Sequence, residues 1–178
     1  MSGANCSVGE NRVLIQQKLD GSDFFNRSWA EYKVGFGDPS GNYWLGNDKL
    51  SQLTQSCYYK LKFDLQSLSN GNWYFAEYSS FRVLSEASNY QLQVAGFSFC
   101  AGGFDAFGYS NGRMFTTYDR DNDSWSSRNC AVNSGGGFWY GDCAYCGVNN
   151  VRGAQDGFTW EGLPGGERLQ SSRMWLLV

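Results

Sequence analysis

The chain has 178 residues, of which 17% are aromatic and 17% are charged, and its formal net charge is −3. This length fits one domain, and an acidic chain without a run of lysine or arginine lacks the positive charge that nucleic-acid binding requires. Histidine is absent, which excludes Ser-His-Asp and Cys-His catalysis and zinc sites with histidine ligands.

Two short helices are predicted in the first third of the chain. Residues 28–37, SWAEYKVGFG, form a short helical segment that glycine ends. Residues 46–55, GNDKLSQLTQ, place Leu50 and Leu53 at helical spacing after Asn47, a typical N-cap residue. We therefore expect one helix in each segment, with Asn47 capping the second.

Three strands are predicted in the middle of the chain. Residues 58–67, YYKLKFDLQS, alternate apolar and polar side chains, which is the pattern of a strand with one buried face and one face in water. The turn-forming sequence SNGNW leads into residues 73–84, and residues 89–97 alternate again. These segments predict an antiparallel meander.

The chain from Phe99 to residue 166 follows neither a strand nor a helix period, and it is rich in glycine, asparagine and aromatic residues. Irregular stretches of this length are normally disordered or functional. Three tryptophans and closely spaced cysteines argue against disorder. We expect a folded loop region, in which aromatic clusters such as GGGFWYGD either fill the core or offer a platform for sugar rings.

An acidic segment lies within this region, with Asp119, Asp121 and Asp123 at alternate positions. It is not an EF-hand, because the required glycine and glutamate positions hold Ser124 and Cys130. Carboxylates this close repel one another unless a cation lies among them. The residues alone leave two interpretations open, a calcium loop of another kind and a solvated turn.

Six cysteines and three Asn-x-Ser sequences, at Asn5, Asn26 and Asn122, indicate the secretory route. The pair Cys143 and Cys146 has the spacing of a redox motif, but no helical pattern follows it, so two separate disulfides are the favoured interpretation. No stretch approaches the roughly 18 apolar residues of a transmembrane helix, and we expect no membrane span.

Five ordered blocks give the chain a resemblance to a known family: VLIQQKLDGSDFFNRSWAEYKVGFGD, NYWLGNDKLSQLTQ, YKLKFDLQ, SNGRMFTTYDRDNDSWSSRNCAV and GGGFWYGDC. In this order they resemble the fibrinogen-like C-terminal globular domain, which occurs in fibrinogen chains, ficolins, tachylectins, tenascins and angiopoietins. The resemblance implies an α+β fold with a central, mainly antiparallel sheet, short helices and a loop-rich lobe for calcium and ligand. It implies recognition and no catalytic chemistry.

The resemblance also predicts the extent of the domain. Residues 1–178 would form a single fibrinogen-like domain. Cys6 matches the second cysteine of the family's first disulfide, whose partner would lie before Met1. We therefore expect that an N-terminal segment of the domain is missing.

The resemblance assigns a calcium site to the acidic segment. Its last two acidic positions, Asp121 and Asp123, would supply carboxylates, and Trp125 and Ser127 would supply backbone carbonyls. Asp119 would be a neighbour that does not coordinate. The cofactor implied is calcium.

The resemblance further implies a disulfide between Cys130 and Cys143, with the pairing of Cys6, Cys57, Cys100 and Cys146 left open. In lectin-like members the peptide bond before the second cysteine of this pair is cis, which corresponds here to the bond between Asp142 and Cys143.

A ligand pocket is expected next to this disulfide. The residues that the resemblance assigns to it are Trp139, Asp142, Cys143, Ala144, Tyr145 and Trp160. Acetyl-binding members have histidine at the position of Ala144 and tyrosines near the positions of Ser134 and Arg152. These departures, together with Tyr145 and the additional Cys146, predict a remodelled pocket with its own ligand.

The function expected is that of a secreted, calcium-dependent, lectin-like module. It would bind carbohydrate, acetylated groups or another small surface epitope, as in innate immune pattern recognition. The alternative is a protein-protein interaction module of the angiopoietin or tenascin type, which binds a receptor or a matrix protein. Neither nucleic acid nor an enzymatic substrate is an expected partner.

Overall fold

A computed structural model describes residues 12–56, 59–100, 103–154 and 157–177. The strands are β1 (Arg12–Lys18), β2 (Phe36–Gly37), β3 (Tyr43–Trp44), β4 (Tyr59–Ser67), β5 (Trp73–Val83), β6 (Leu92–Phe99), β7 (Phe115–Thr116), β8 (Phe138–Trp139) and β9 (Leu169–Leu177). The helices are α1 (Trp29–Val34), α2 (Asn47–Ser56) and α3 (Cys130–Ser134). Single 3₁₀ turns lie at Glu86–Ser88 and Gly108–Ser110.

In the described parts of the chain, the central sheet has seven strands in the order β2-β3-β1-β9-β4-β5-β6, and its pairs are antiparallel. The predicted meander is β4-β5-β6, and the predicted α+β class with short helices and a mainly antiparallel sheet is confirmed. Strand β9 inserts between β1 and β4, so the two ends of the described chain meet in the middle of the sheet. The strands β7 and β8 form a separate pair.

Both predicted helices form, but one predicted cap is wrong. Ser28 caps α1 in a reciprocal capping box with Glu31, and Gly35, with a φ of 94°, ends the helix. Asn47 does not cap α2, because its side-chain oxygen accepts a hydrogen bond from the indole of Trp44 at 3.0 Å. The helix already includes Asn47 and begins after Gly46, whose carbonyl accepts from the Leu50 N–H.

The core fills the side of the sheet on which α2 packs against β5. Alternate residues of β4, including Leu61, Phe63 and Leu65, are fully buried on this side. Trp139 is the centre of an aromatic cluster, and its indole N–H donates to the carbonyl of Tyr90 at 2.7 Å. The rings around it are Trp44, Phe81, Phe107, Phe115 and Phe138. This cluster joins the sheet to the loop region beyond β6.

A buried lysine makes stability depend on pH. Burial lowers the pKa of Lys18 to about 8, although its ammonium donates to the Ser22 carbonyl at 2.6 Å and lies near the Phe25 and Phe158 rings. The unfolded chain keeps this proton up to a pKa of about 10.4. The burial cost is therefore complete below pH 8 and is relieved as the pH rises towards 10.

We predict that Lys18→Met raises the free energy of unfolding at pH 7 by on the order of 2 kcal/mol. Between pH 8 and pH 10 the free energy of unfolding of the parent should rise relative to that of this variant. Denaturant unfolding at several pH values across that range measures the difference. Lys49→Met is the control, since Lys49 is exposed. Parallel pH curves for the parent and Lys18→Met would contradict the prediction.

Candidate functional site

The predicted loop region forms a folded lobe between β6 and β9, which contains β7, α3 and β8. Fully buried aromatic residues hold it against the sheet, and Phe107 and Trp160 both pack on Phe63 of β4, at 5.0 and 4.9 Å between ring centroids. The lobe lacks long strands because glycine and asparagine turns interrupt it, yet it is not loosely packed.

Asp119 ties the acidic segment to the helical layer. Its Oδ1 atom accepts hydrogen bonds from the Trp29 N–H at 2.9 Å and from the Thr117 hydroxyl at 2.7 Å. One of the first orphan N–H groups of α1 is thus satisfied by a side chain 90 residues away. Asp119 thus anchors the segment to α1, and its place outside the set of metal ligands stays a prediction.

Asp123 organises the segment after it. Its Oδ1 accepts from the Trp125 N–H and its Oδ2 from the Cys130 N–H, both at 2.8 Å. Its partly buried carboxyl lies next to that of Asp121, whose Oδ1 accepts from the Asp123 N–H at 3.2 Å. Burial, with the neighbouring Asp121 charge, raises the pKa of Asp123 despite these hydrogen bonds. Within the described ranges, neither carboxylate forms an ion pair with a lysine or arginine.

The residue types of the acidic segment suit a hard cation. The carboxylates of Asp121 and Asp123, and the backbone carbonyls that follow in the chain at Trp125 and Ser127, are oxygen donors, which calcium prefers. The Trp125 carbonyl accepts from the Arg128 N–H at 3.2 Å and keeps a second lone pair. No group of three or more metal-ligating side chains occurs among the described residues, so backbone carbonyls or water must complete any such site.

The three Asn-x-Ser asparagines differ in accessibility. Asn122 lies inside the acidic segment, and its side-chain amide donates to the Phe115 carbonyl at 2.8 Å. This amide nitrogen is therefore engaged in the fold and is a poor glycosylation acceptor. Asn26 is exposed, whereas Asn5 lies outside the described residues.

The predicted disulfide between Cys130 and Cys143 is confirmed, with an S–S distance of 2.11 Å. A hydrogen bond runs beside it from the Ser124 N–H to the Gly141 carbonyl at 3.0 Å. Together they join the acidic segment to residues 141–143. The expected cis bond between Asp142 and Cys143 is wrong, because every peptide bond among the described residues is trans.

A pocket of about 320 Å³ is lined by residues 142–145 and by residues from other segments. Its lining residues are Tyr109, Asp142, Cys143, Ala144, Tyr145, Gly157, Thr159, Glu161 and Glu167. Four of the six residues assigned to the ligand site are therefore in one place. The Tyr109 and Tyr145 rings meet edge to face at 4.6 Å, and the Tyr109 hydroxyl accepts from the Asp142 N–H at 3.2 Å.

The pocket is acidic. Asp142, Glu161 and Glu167 line it, and no lysine or arginine is among the lining residues that the structure describes. Arg113 lies outside, over the Tyr109 ring at 5.4 Å. Such a pocket disfavours anionic ligands and suits ligands with hydroxyl or ammonium donors.

The two tryptophans assigned to the ligand site are not part of the pocket lining. Trp139 and Trp160 are both 0% exposed, so neither ring offers a surface to a ligand. The backbone N–H of Trp160 donates to the carbonyl of Glu167, a lining residue, at 2.8 Å. Both indole rings fill the core, which was one of the two interpretations of the aromatic clusters.

Sequence reasoning missed several lining residues. Tyr109, Thr159, Glu161 and Glu167 come from segments on either side of the disulfide, and no motif connects them. The positions of the family's pocket tyrosines, Ser134 and Arg152, do not line this pocket. Ser134 is buried, and the Arg152 guanidinium donates to the Leu169 carbonyl at 3.3 Å.

Cys143 and Cys146 do not form two separate disulfides, because only Cys143 is bridged and Cys146 is a buried free thiol. Burial raises the pKa of the Cys146 thiol, which disfavours the thiolate that redox chemistry needs. Cys100 is an exposed thiol. The positions Cys6 and Cys57 lie outside the described residues.

The described helices include none that is both long enough and apolar enough to span a membrane.

Comparison with known proteins places the fold in a family. The family described as "Fibrinogen beta and gamma chains, C-terminal globular domain" matches residues 5–175. Human Ficolin-3 is 43% identical over 141 residues, which cover 79% of this chain and 46% of Ficolin-3. Mouse Angiopoietin-related protein 2 is 42% identical over 162 residues, which cover 86% of this chain and 32% of that protein. The chain thus spans less than half the length of these relatives.

Solved structures show the same fold. The fibrinogen-like globe domain of human ANGPTL2 has a TM-score of 0.83 and 39% identity, over 93% of this chain and 79% of that chain. A lamprey fibrin D-dimer complexed with the peptide Gly-His-Arg-Pro-amide has a TM-score of 0.79 and 31% identity, over 92% of this chain and 60% of that chain.

Proposed function

We propose a function on the premise that this chain belongs to the family of fibrinogen C-terminal globular domains. The chain is a secreted, calcium-dependent recognition module of the lectin type, and it binds carbohydrate, acetylated groups or another small surface epitope, as in innate immune pattern recognition. Residues 1–178 act in this proposal as a single domain, and no catalytic activity is assigned to it.

The observation that carries the proposal is the connection between the acidic segment and the pocket. The Cys130–Cys143 disulfide and the hydrogen bond from Ser124 to Gly141 join them directly. Asp123 holds the N–H of Cys130, and Cys143 lines the pocket. A change in the acidic segment therefore reaches the pocket wall through a few short contacts.

Calcium fits this arrangement. Asp121 and Asp123 would hold the ion with their carboxylates, and Trp125 and Ser127 with their carbonyls. A bound cation supplies positive charge, which offsets the repulsion between the two carboxylates and the cost of burying Asp123. The protein's own role is to hold Cys130, and through the disulfide Cys143, in a fixed position.

The pocket residues suit a polyhydroxylated ligand. The carboxylates of Asp142 and Glu161 can accept hydrogen bonds from sugar hydroxyls, and Thr159 can donate or accept. The Tyr145 ring, 43% exposed, offers an apolar face to a sugar ring. The negative charge of the pocket favours neutral or amino sugars over sialylated or sulfated ones.

A protein ligand is the second candidate, because an exposed aromatic pair lies beside the pocket. Phe104 and Tyr145, at 46% and 43% exposure, meet edge to face at 5.4 Å. Exposed aromatic residues are typical anchors of protein interfaces. In this version the chain binds a receptor or matrix protein through the same lobe.

We predict that calcium stabilises the parent protein and that Asp121→Asn with Asp123→Asn removes this effect. At calcium one hundred times above the dissociation constant, binding contributes about 2.7 kcal/mol, which raises the melting temperature by about 5–10 °C. Calorimetry in calcium and in chelator measures the difference.

Asp38→Asn is the matched control for this experiment. Asp38, like Asp121, accepts a hydrogen bond from the N–H two residues later, but it lies outside the acidic segment. Its variant should keep the full calcium effect. A parent protein that melts at the same temperature in calcium and in chelator would show that the calcium assignment is incorrect.

The ligand assignment is tested on a glycan array in calcium and in chelator. We expect the parent to bind only in calcium and Tyr145→Ala to lose at least ten-fold in affinity. Tyr118→Ala, at a tyrosine of similar exposure (46%) outside the pocket, should bind like the parent. Binding that survives chelation, or that both variants weaken equally, would contradict the lectin proposal. If the parent binds no glycan on the array but captures an extracellular receptor, the protein ligand is favoured instead.

A further inference from the structure

The side of the central sheet that faces away from the core forms a separate surface. Cross-strand partners in β4, β5 and β9 point to the same side of a sheet, and the pairs Asp64 with Arg173 and Asp64 with Phe75 define this side. We call it the outer sheet face. Its charged and aromatic residues on β1, β4, β5 and β9 are Arg12, Lys60, Lys62, Asp64, Trp73, Phe75, Glu77, Arg82, Arg173 and Trp175.

Positive charge is concentrated on the outer sheet face. It carries five of the chain's 14 basic residues but only two of its 17 acidic ones. Its formal charge is +3, and the remainder of the chain therefore carries −6. The small net charge of the whole chain conceals this division, which creates a positive potential on one side of an acidic protein.

Most of these cations have no acidic partner. Lys62 pairs with Asp64 at 3.0 Å, whereas Arg12, Lys60, Arg82 and Arg173 form no ion pair within the part of the chain that the structure describes. Lys60 and Arg82 are exposed on neighbouring strands. Their charges are therefore available to an anionic partner from solution.

Two exposed aromatic rings hold cations on this face. The Arg173 guanidinium lies over the Trp73 ring and the Lys62 ammonium over the Phe75 ring, each at 5.0 Å from the ring centroid. The rings are 47% and 42% exposed. Cation–π contacts of this kind orient the charged groups and leave less of each ring face for stacking.

We propose that the outer sheet face binds a sulfated polysaccharide chain. Its unpaired cations match a linear partner with closely spaced anionic groups. Single-stranded nucleic acid is less suitable, because its bases need free aromatic faces to stack on, and here cations lie over both rings. An acidic peptide usually needs a groove or a free strand edge, whereas this surface is the face of a paired sheet.

This surface is independent of the pocket proposed above. The pocket lining includes three carboxylates and no basic residue, so a sulfated chain is repelled there and attracted to the outer sheet face. Binding of the sulfated chain should therefore persist in chelator and in Tyr145→Ala. A result that contradicts the lectin proposal therefore leaves this proposal unaffected, and the reverse also holds.

The test is calorimetric titration of the parent protein with a heparin dodecasaccharide at 50 and 200 mM salt. We expect binding that weakens as salt rises, because bound cations release counterions. Lys60→Gln with Arg82→Gln should raise the dissociation constant at least ten-fold and flatten the salt dependence. The melting temperature shows whether this variant is folded.

A second variant with the same net charge is the control. Lys49→Gln with Arg168→Gln removes two exposed cations from outside the outer sheet face and should change the dissociation constant less than three-fold. An equal loss of heparin affinity in the two variants would overturn the proposal. Binding of desulfated heparin with the same affinity as heparin would also overturn it. Tighter binding of poly(U) RNA than of heparin would also overturn it and would assign the surface to nucleic acid.

Discussion

The partly buried carboxylate of Asp123 is the contact on which the disulfide-linked part of the loop lobe depends. Its two oxygens hold the N–H groups of Trp125 and Cys130, so the turn that follows it and the start of α3 are positioned by one side chain. Burial and the charge of Asp121 raise its pKa. The two hydrogen bonds favour the charged form of this carboxyl group, whereas burial and the charge of Asp121 disfavour it. A cation bound beside the carboxylate would stabilise the charged form. In our account, calcium at this point stabilises the disulfide-linked wall of the pocket.

Much of the fold could be predicted from local patterns in the sequence. The strict alternation in β4 predicts its buried and exposed faces, and the glycine that follows Val34 predicts the end of α1. The N-cap prediction for Asn47 failed because a tertiary partner, the indole of Trp44, takes its oxygen. The central position of β9 was not predicted, because pairing between strands far apart in the chain leaves no local signal.

At the candidate site, even fewer contacts between distant segments could be predicted from local sequence patterns. The disulfide between Cys130 and Cys143 was predictable from a resemblance to a family, since each cysteine lies in a continuous motif. The pocket was only half predictable: Glu161 and Glu167 reach it from a distant segment, while Trp139 and Trp160 are core residues. Charge is also divided in space in a way that composition does not reveal, with an acidic pocket and a basic sheet face on one chain. These two surfaces suit different ligands.

Amide hydrogen exchange with and without calcium tests the central claim most directly. The Ser124 N–H donates to the Gly141 carbonyl, and the Asp142 N–H donates to the Tyr109 hydroxyl, so these two amides report on the acidic segment and on the pocket wall. Our account predicts that calcium slows exchange at both amides. Slower exchange at Ser124 with an unchanged rate at Asp142, or no change at either, would show that the cation and the pocket are not coupled.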